Sequence, residues 1–297
     1  LTIEAGVTVK FDSGTYIKVE GDLVADGTSS DRIIFTSSNE SPSAGDWDGI
    51  RIRPTSGTTF DGSYNYVSGS IFDYVTVKYA STGLYVYDTG LLVTNSSFQS
   101  NSNAMEIRGT ENMIITSNTF DNNSQGIYSG YSDYYGDAVS KIENTQINNN
   151  VFSNNGTAVA LNMNQNIFEA LDVVNNEFFS NSTAISIGGG GYGPIVHSIS
   201  VTDNWIHKNG TGISFPQFYG KWEPAPEYQV IVRNNKVVDN TGDPLSIGKD
   251  GSVTFLVEDN VLADNAGGIP LTGTQWASSI FRRNSVENNA YGVNVGG

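Results

Sequence analysis

The 297-residue chain contains no cysteine, and that absence removes disulfide frameworks, thiolate zinc sites and a cysteine nucleophile together. Charge is scarce, at 15% of residues, and what there is leans one way: 15 Lys plus Arg stand against 31 Asp plus Glu, a net −16. Such a chain repels phosphate backbones, so nucleic acid is excluded as a partner. Histidine is limited to His197 and His207. No apolar run approaches the length of a membrane span, and no secretory leader is visible. No stretch of ten residues shows helical periodicity, which leaves an all-β chain rich in Gly, Asn, Ser and Thr.

The stretch 145–161, TQINNNVFSNNGTAVAL, sets the pattern for the rest. Asn150 and Asn155 stand five apart, with Phe152 between them and the small residue Ala158 three after the second. The frame recurs at Asn118/Asn123, Asn176/Asn181, Asn204/Asn209, Asn235/Asn240, Asn260/Asn265 and Asn284/Asn289, with Ser96/Asn101 as a weaker copy. A step of about 24 to 32 residues is the period of a solenoid. Apolar residues alternate within each short segment, as strands with one buried face do. Asn tolerates a left-handed backbone and bonds to turn backbone, so it is expected at the corners, one amide above the next at about 4.8 Å. Gly126, Gly212, Gly268 and Gly292, or Ala104, Ala158 and Ala184, would then open a third strand.

This frame resembles the right-handed parallel β-helix repeat of pectate-lyase-like and bacterial or archaeal cell-surface proteins. The resemblance covers about residues 70–297. The openings LTIEAGVTVKF (1–11), IKVEGDLVADGTSSDRIIFTSS (17–38), GDWDGIRI (45–52) and IFDYVTVKYASTGLYVY (71–87) are similar to the first coils of the surface proteins. It implies a single right-handed β-helix domain over 1–297 with about a dozen coils. Leu1 falls in mid-strand, so upstream sequence is expected. The terminal VNVGG would leave an open edge, available to further chain, a partner or self-association. Trp47 reads as a core or cap residue, and residues 54–69 as a polar loop. One pair of Tyr85/Tyr87 and Leu84/Val86 must face outward.

Length variation falls at one corner, between the third strand of a coil and the first strand of the next. The longest insertions are 129–144 and 216–228, with shorter ones at 162–170 and 188–198. Insertions sharing one face are where solenoids carry their sites. Tyr131, Tyr134 and Tyr135 on one side, and Phe218, Tyr219 and Trp222 on the other, would wall a sugar-binding groove, with Asp133, Asp137, Lys221 and Glu223 bonding hydroxyls. Lys141 is a further acid or base candidate there. Gly188 to Gly193 spell G-x-G-x-x-G, but a strand-like segment follows instead of a helix, so no dinucleotide site is assigned. His207 is expected exposed and structural; His197, at the end of the glycine run, is the better candidate for chemistry.

Polysaccharide-active β-helices use paired carboxylates or a Lys/Arg base with acidic metal ligands. The pectin-hydrolase set N-T-D, D-D, G-H-G and R-I-K is missing, and so is the epimerase-like Y-G-x-D-P-H. No cofactor is identified, and no calcium loop of the D-x-[DN]-x-[DN]-G type is present, although Ca²⁺ is the ion that acidic corners would suit. N-x-[ST] occurs at Asn39, Asn95, Asn122, Asn155, Asn181 and Asn209, about as often as chance gives in this composition. The leading functional reading is a non-catalytic extracellular or cell-surface scaffold or adhesin whose partner is a polysaccharide or surface glycan. The alternative is a lyase or glycoside hydrolase working at the long insertions, and a third reading is a trimeric fibre.

Overall fold

In the computed structural model, residues 1–53, 58–63, 65–129, 140–162, 166–188, 198–220, 229–251, 253–273 and 279–296 are described. Their strands form three parallel sheets of eleven strands each, and every sheet takes one strand from each successive coil. The chain is therefore a solenoid of eleven coils. The expected fold and coil number hold.

The coil containing Asn118 shows how sequence makes this shape. Ile114–Thr116 lies in the first sheet, Thr119–Asp121 in the second and Gln125–Ser129 in the third. Between them Ser117 and Asn122 take positive φ, 58° and 56°, and turn the chain. The left-handed residue thus precedes each ladder Asn, which corrects the expectation that the ladder Asn itself bends the corner. The position faces outward and accepts Ser, Asn, Asp, Lys208 and Arg283 alike. The ladder Asn points inward instead, and those from Asn101 to Asn265 are fully buried.

Buried amides must be bonded, and here each is bonded to the next coil. Asn150 Nδ2 donates to Asn176 Oδ1 at 3.0 Å and to the Ile115 carbonyl at 2.9 Å, while its backbone N–H donates to the same Asn176 Oδ1 at 2.9 Å. The second corner repeats this from Asn101 through Asn123, Asn155, Asn181, Asn209, Asn240 and Asn265 to Asn289. Asn155, Asn181 and Asn209 match N-x-[ST] but are enclosed in this ladder, so the folded chain cannot present them for glycosylation.

From Ser97–Gln99 onward each second-sheet strand has one inward residue, and these stack along the axis. Phe98, Phe120, Phe152 and Phe178 lie face to face with centroids 5.2, 4.7 and 4.7 Å apart, all fully buried. The spacing is that of neighbouring strands, so the rings inherit it from the backbone. Gly126 keeps the next corner tight: a Cβ there would sit 2.3 Å from the Ala158 carbonyl oxygen.

The first coils carry no amide ladder. Arg32 substitutes for it at the first corner, with Nη2 donating to the Val75 and Asn95 carbonyls at 2.9 and 2.8 Å across two further coils. Trp47 is a core residue. It is fully buried, stacks on Phe11 at 4.0 Å and donates its indole N–H to the Lys78 carbonyl. Residues 54–69 are not simply a loop, because Thr59–Phe60 pairs antiparallel with Tyr66–Ser68. Asp61 caps that turn by accepting from the Ser63 and Asn65 backbone N–H groups. The turn chemistry of Asp61 and Gly62 makes a hairpin where composition alone read as loop.

On the outer face of the first sheet, Glu258 is buried under Arg233, Arg282 and Arg283, at 2.5, 2.6 and 2.7 Å. The bond from Arg282, with Arg233 behind it, holds the Glu258 carboxyl below the usual carboxylate range against the effect of burial. A carboxyl depressed in the folded state stabilises above its unfolded pKa, about 4.3, and that contribution is lost as pH falls through the folded value. Glu258→Gln is therefore expected to melt below wild type at pH 7, with the gap narrowing toward pH 3. An equal gap at both pH values, by thermal melting, would refute the coupling.

Candidate functional site

The long insertions leave the corner expected of them. Residues 130–139 lie between the strands Gln125–Ser129 and Ser140–Asn148, and 221–228 between Thr211–Gly220 and Val230–Arg233. The hairpin at 59–68 leaves from the same corner. Tyr131, Asp133, Tyr134, Tyr135, Asp137, Lys221, Trp222 and Glu223 lie outside the described residues, as do His197 and 189–193. Phe218 and Tyr219 stand in the strand Thr211–Gly220, opposite Lys249 and Asp250, with side chains outside the described set.

Within the described residues the groups that come together do so on the outer face of the third sheet. Three strands alternate core and surface residues in the same frame. Ile50 and Ile52 are buried while Arg51 and Arg53 face out; Leu84 and Val86 are buried while Tyr85 and Tyr87 face out; Met105 and Ile107 are buried with Glu106 and Arg108 on the other face. Register places Arg51 beside Tyr85, Tyr85 beside Glu106 and Glu106 beside Tyr128. The sheet is irregular just before this row. Gly49, with φ 109°, sits opposite Thr82, and a Cβ on it would fall 1.6 Å from the Thr82 carbonyl oxygen. The resulting cleft is about 290 Å³ and is lined by Asp48, Arg51, Arg53, Thr82, Tyr85 and Glu106, with Ser81 at its edge.

The Tyr85 and Tyr87 rings are nearly parallel, 6.4 Å apart, and the Arg53 guanidinium carbon lies 5.5 Å from each centroid. Arg108 approaches the Tyr85 ring at 5.6 Å, and Arg51 stacks 4.0 Å over Tyr16. Guanidinium groups over ring faces are attracted by the ring quadrupole and keep their planes fixed. Glu106 is 5% exposed; Oε1 accepts from Arg108 Nε at 2.6 Å and Oε2 from the Tyr128 hydroxyl at 2.5 Å. Burial, and then the bond to Glu106, pushes the Tyr128 phenol well above its ordinary range. Burial also raises Tyr85, with Glu106 adding to it against the two guanidiniums. Burial pulls Arg108 down, but Glu106 outweighs it and the net direction is up.

The two carboxylates of the cleft are thus tied to cations, Glu106 to Arg108 and Asp48 to Arg51 at 3.3 Å. A general acid must release a proton during reaction, and a carboxylate held by an arginine and a phenol is poorly placed to do so. The arrangement suits recognition. Among the described residues Arg51, Arg53 and Arg108 stand around Asp48 and Glu106 here. A second cleft, about 610 Å³, lies under the 38–46 loop against Tyr79, Ser100, Asn122 and Ser124, and its described lining carries no charged group.

His207 does not match the exposed position expected of it. It is half-buried, bonded through Nε2 to Glu177 Oε1 at 3.0 Å and stacked on Trp205. Among the described residues no group of three or more His, Asp or Glu could hold a metal ion, and no helix is long and apolar enough to cross a membrane.

A family described as right handed beta helix region matches residues 38–215, more than half of the sequence. The chain belongs to the right-handed β-helix family. No curated protein matches the sequence. Solved structures similar to this β-helix include a GH136 lacto-N-biosidase from Eubacterium ramulus, at 12% identity and TM-score 0.31 over 96% of this chain and 62% of that one. Endopolygalacturonase I from Stereum purpureum, complexed with two galacturonate, has 13% identity and TM-score 0.24, over 100% and 92%. A mannuronic acid specific polysaccharide family 6 lyase from human gut microbiota has 11% identity and TM-score 0.28, over 92% and 82%. This β-helix spans less than two thirds of the lacto-N-biosidase chain. Likenesses this distant leave those activities with those proteins.

Proposed function

We propose that this β-helix is an extracellular or cell-surface scaffold that binds a carboxylate-bearing glycan in the cleft of the third sheet, without catalysis. The observation that carries the reading is Arg53 spread across Tyr85 and Tyr87 at the cleft rim. Aromatic rings offer flat faces to sugar rings, and guanidiniums pair with carboxylates in two-point bonds. The aromatic and charged residues of 129–144 and 216–228, leaving one corner of the helix, would extend the contact along the axis. Calorimetric titration with polyuronate and neutral glucan oligosaccharides tests this. Wild type is expected to bind the polyuronate, with Arg53→Ala and Tyr85→Ala each at least about tenfold weaker, the loss of roughly 1.4 kcal/mol. Equal affinity for the neutral glucan, or no loss in either variant, would overturn the reading.

One observation favours the enzyme alternative. Lys249 is 2% exposed, burial lowers its pKa, and its strand pairs with the one that runs into 216–228. A lysine whose pKa burial lowers gives up its proton more readily than an exposed one, the direction a proton-abstracting amine requires. Release of unsaturated sugar ends from a polyuronate, abolished by Lys249→Met in a folded variant, would establish lyase action.

A further inference from the structure

The outer face of the second sheet carries an apolar strip that none of the sites above uses. Trp205 is 46% exposed on it and Val261 41%. Strand register puts Val151, Glu177, Trp205, Lys236 and Val261 in one row along the axis, one residue per coil. A second row, two residues on, holds Ser153, Phe179, His207, Val238 and Ala263 in the same coils. Trp205 is held in place by His207, whose ring lies 4.1 Å away at 22°, and His207 in turn by Phe179 at 5.6 Å and by Glu177.

The first row reads alike from either end, except that its two charges are opposite. A half-turn about the line of the Trp205 strand keeps each row over itself and reverses the order of coils. Trp205 then meets Trp205 of a second copy, Val151 meets Val261, and Glu177 meets Lys236 twice over. In the second row Phe179 meets Val238 and Ser153 lies opposite Ala263. Trp205, Val151 and Phe179 thus meet apolar partners, Glu177 meets Lys236 and His207 meets His207, while Ser153 and Ala263 are buried and stay out of the contact, a self-complementarity of the kind a two-fold interface requires.

We infer that this face is a docking surface for a second copy of the chain, antiparallel and two-fold, centred on Trp205. Five coils at about 4.8 Å each, and two rows of side chains, make a patch well short of the ~800 Å² per partner of a standard interface. The dimer is therefore weak, and ionic strength loosens it.

Sedimentation equilibrium of the whole chain, from about 5 to 500 µM, reads the association directly. Wild type is expected to pass from monomer to dimer across that range. Trp205→Ala and Lys236→Glu should each weaken the dimer at least about tenfold, Lys236→Glu because it sets like charges opposite one another. The exchange Glu177→Lys/Lys236→Glu restores the pairing with signs reversed and should bring association part of the way back, because it also removes the Glu177–His207 bond that helps to hold Trp205. Circular dichroism checks that each variant is folded. A wild type that stays monomeric at the highest concentration overturns the inference, including the case where Trp205 proves instead to bind sugar. A dimer indifferent to Lys236→Glu, or a folded exchange variant that remains monomeric, overturns it equally. Polyuronate binding at the third-sheet cleft is a separate measurement, and neither result decides the other.

Discussion

Asn176→Ala is expected to destabilise the chain by about 3–5 kcal/mol, a large share of the 5–15 kcal/mol typical of a folded domain. Four bonds disappear with that one side chain. Asn176 Nδ2 donates to the Ile147 carbonyl at 2.9 Å and to Asn204 Oδ1 at 3.0 Å, while its Oδ1 accepts from both the backbone N–H and Nδ2 of Asn150. The buried N–H of Asn150 then lacks the oxygen it donates to, and a buried donor left unmade costs about 1–3 kcal/mol by itself. Asn204→Ala should match Asn176→Ala, since Asn204 makes the same four contacts. Asn39→Ala should change little, because Asn39 is exposed and its side chain only accepts from the Ser41 N–H and bonds the carboxylate of Asp46. Urea denaturation compares the three, and equal losses at all of them would show that the ladder is not what holds the coils.

Phe152→Ala is expected to cost a similar amount, about 3–5 kcal/mol, for a different reason. Its ring fills the slot between Phe120 and Phe178 at 4.7 Å on both sides. Coil spacing is set by the backbone bonds, so the neighbours cannot close over the hole, and the cavity persists at nearly full size. Phe152→Leu should lose only about 1–1.5 kcal/mol, because most of the volume is kept. If the alanine and leucine variants unfold at the same urea concentration, the stack contributes no packing beyond ordinary burial.

Much of the fold was legible because a solenoid repeats its own grammar. The pair Asn150 and Asn155 with Phe152 between them specifies two corners and one inward ring, and its copies supply the rest. Which residue bends the corner was not legible. Asn149 and Asn150 are adjacent and identical, and only the backbone shows that Asn149, with φ 55°, takes the turn while Asn150 points inward. The cleft of the third sheet was missed because its members are far apart in sequence: Arg51, Tyr85 and Glu106 come into line only after three coils are stacked. A signal existed in the three alternating runs Arg51-Ile52-Arg53, Tyr85-Val86-Tyr87 and Glu106-Ile107-Arg108, whose outward residues align once the frames are stacked. Trp205 hid in the same way, as one outward residue of a three-residue strand.

The bonds between coils run along the axis of the solenoid, so a pull on its two ends loads every bond of one inter-coil layer at once. From Asn101 onward each layer adds amide bonds to its backbone bonds. Between the second, third and fourth coils Arg32 does part of that work, but it does not reach the layer between the first two coils. Under tension the layer between the first two coils is held by backbone bonds, the Ser38–Asp12 bond and the Phe11–Trp47 stack without any amide ladder, so the Asn-laddered coils would stay closed after it had parted.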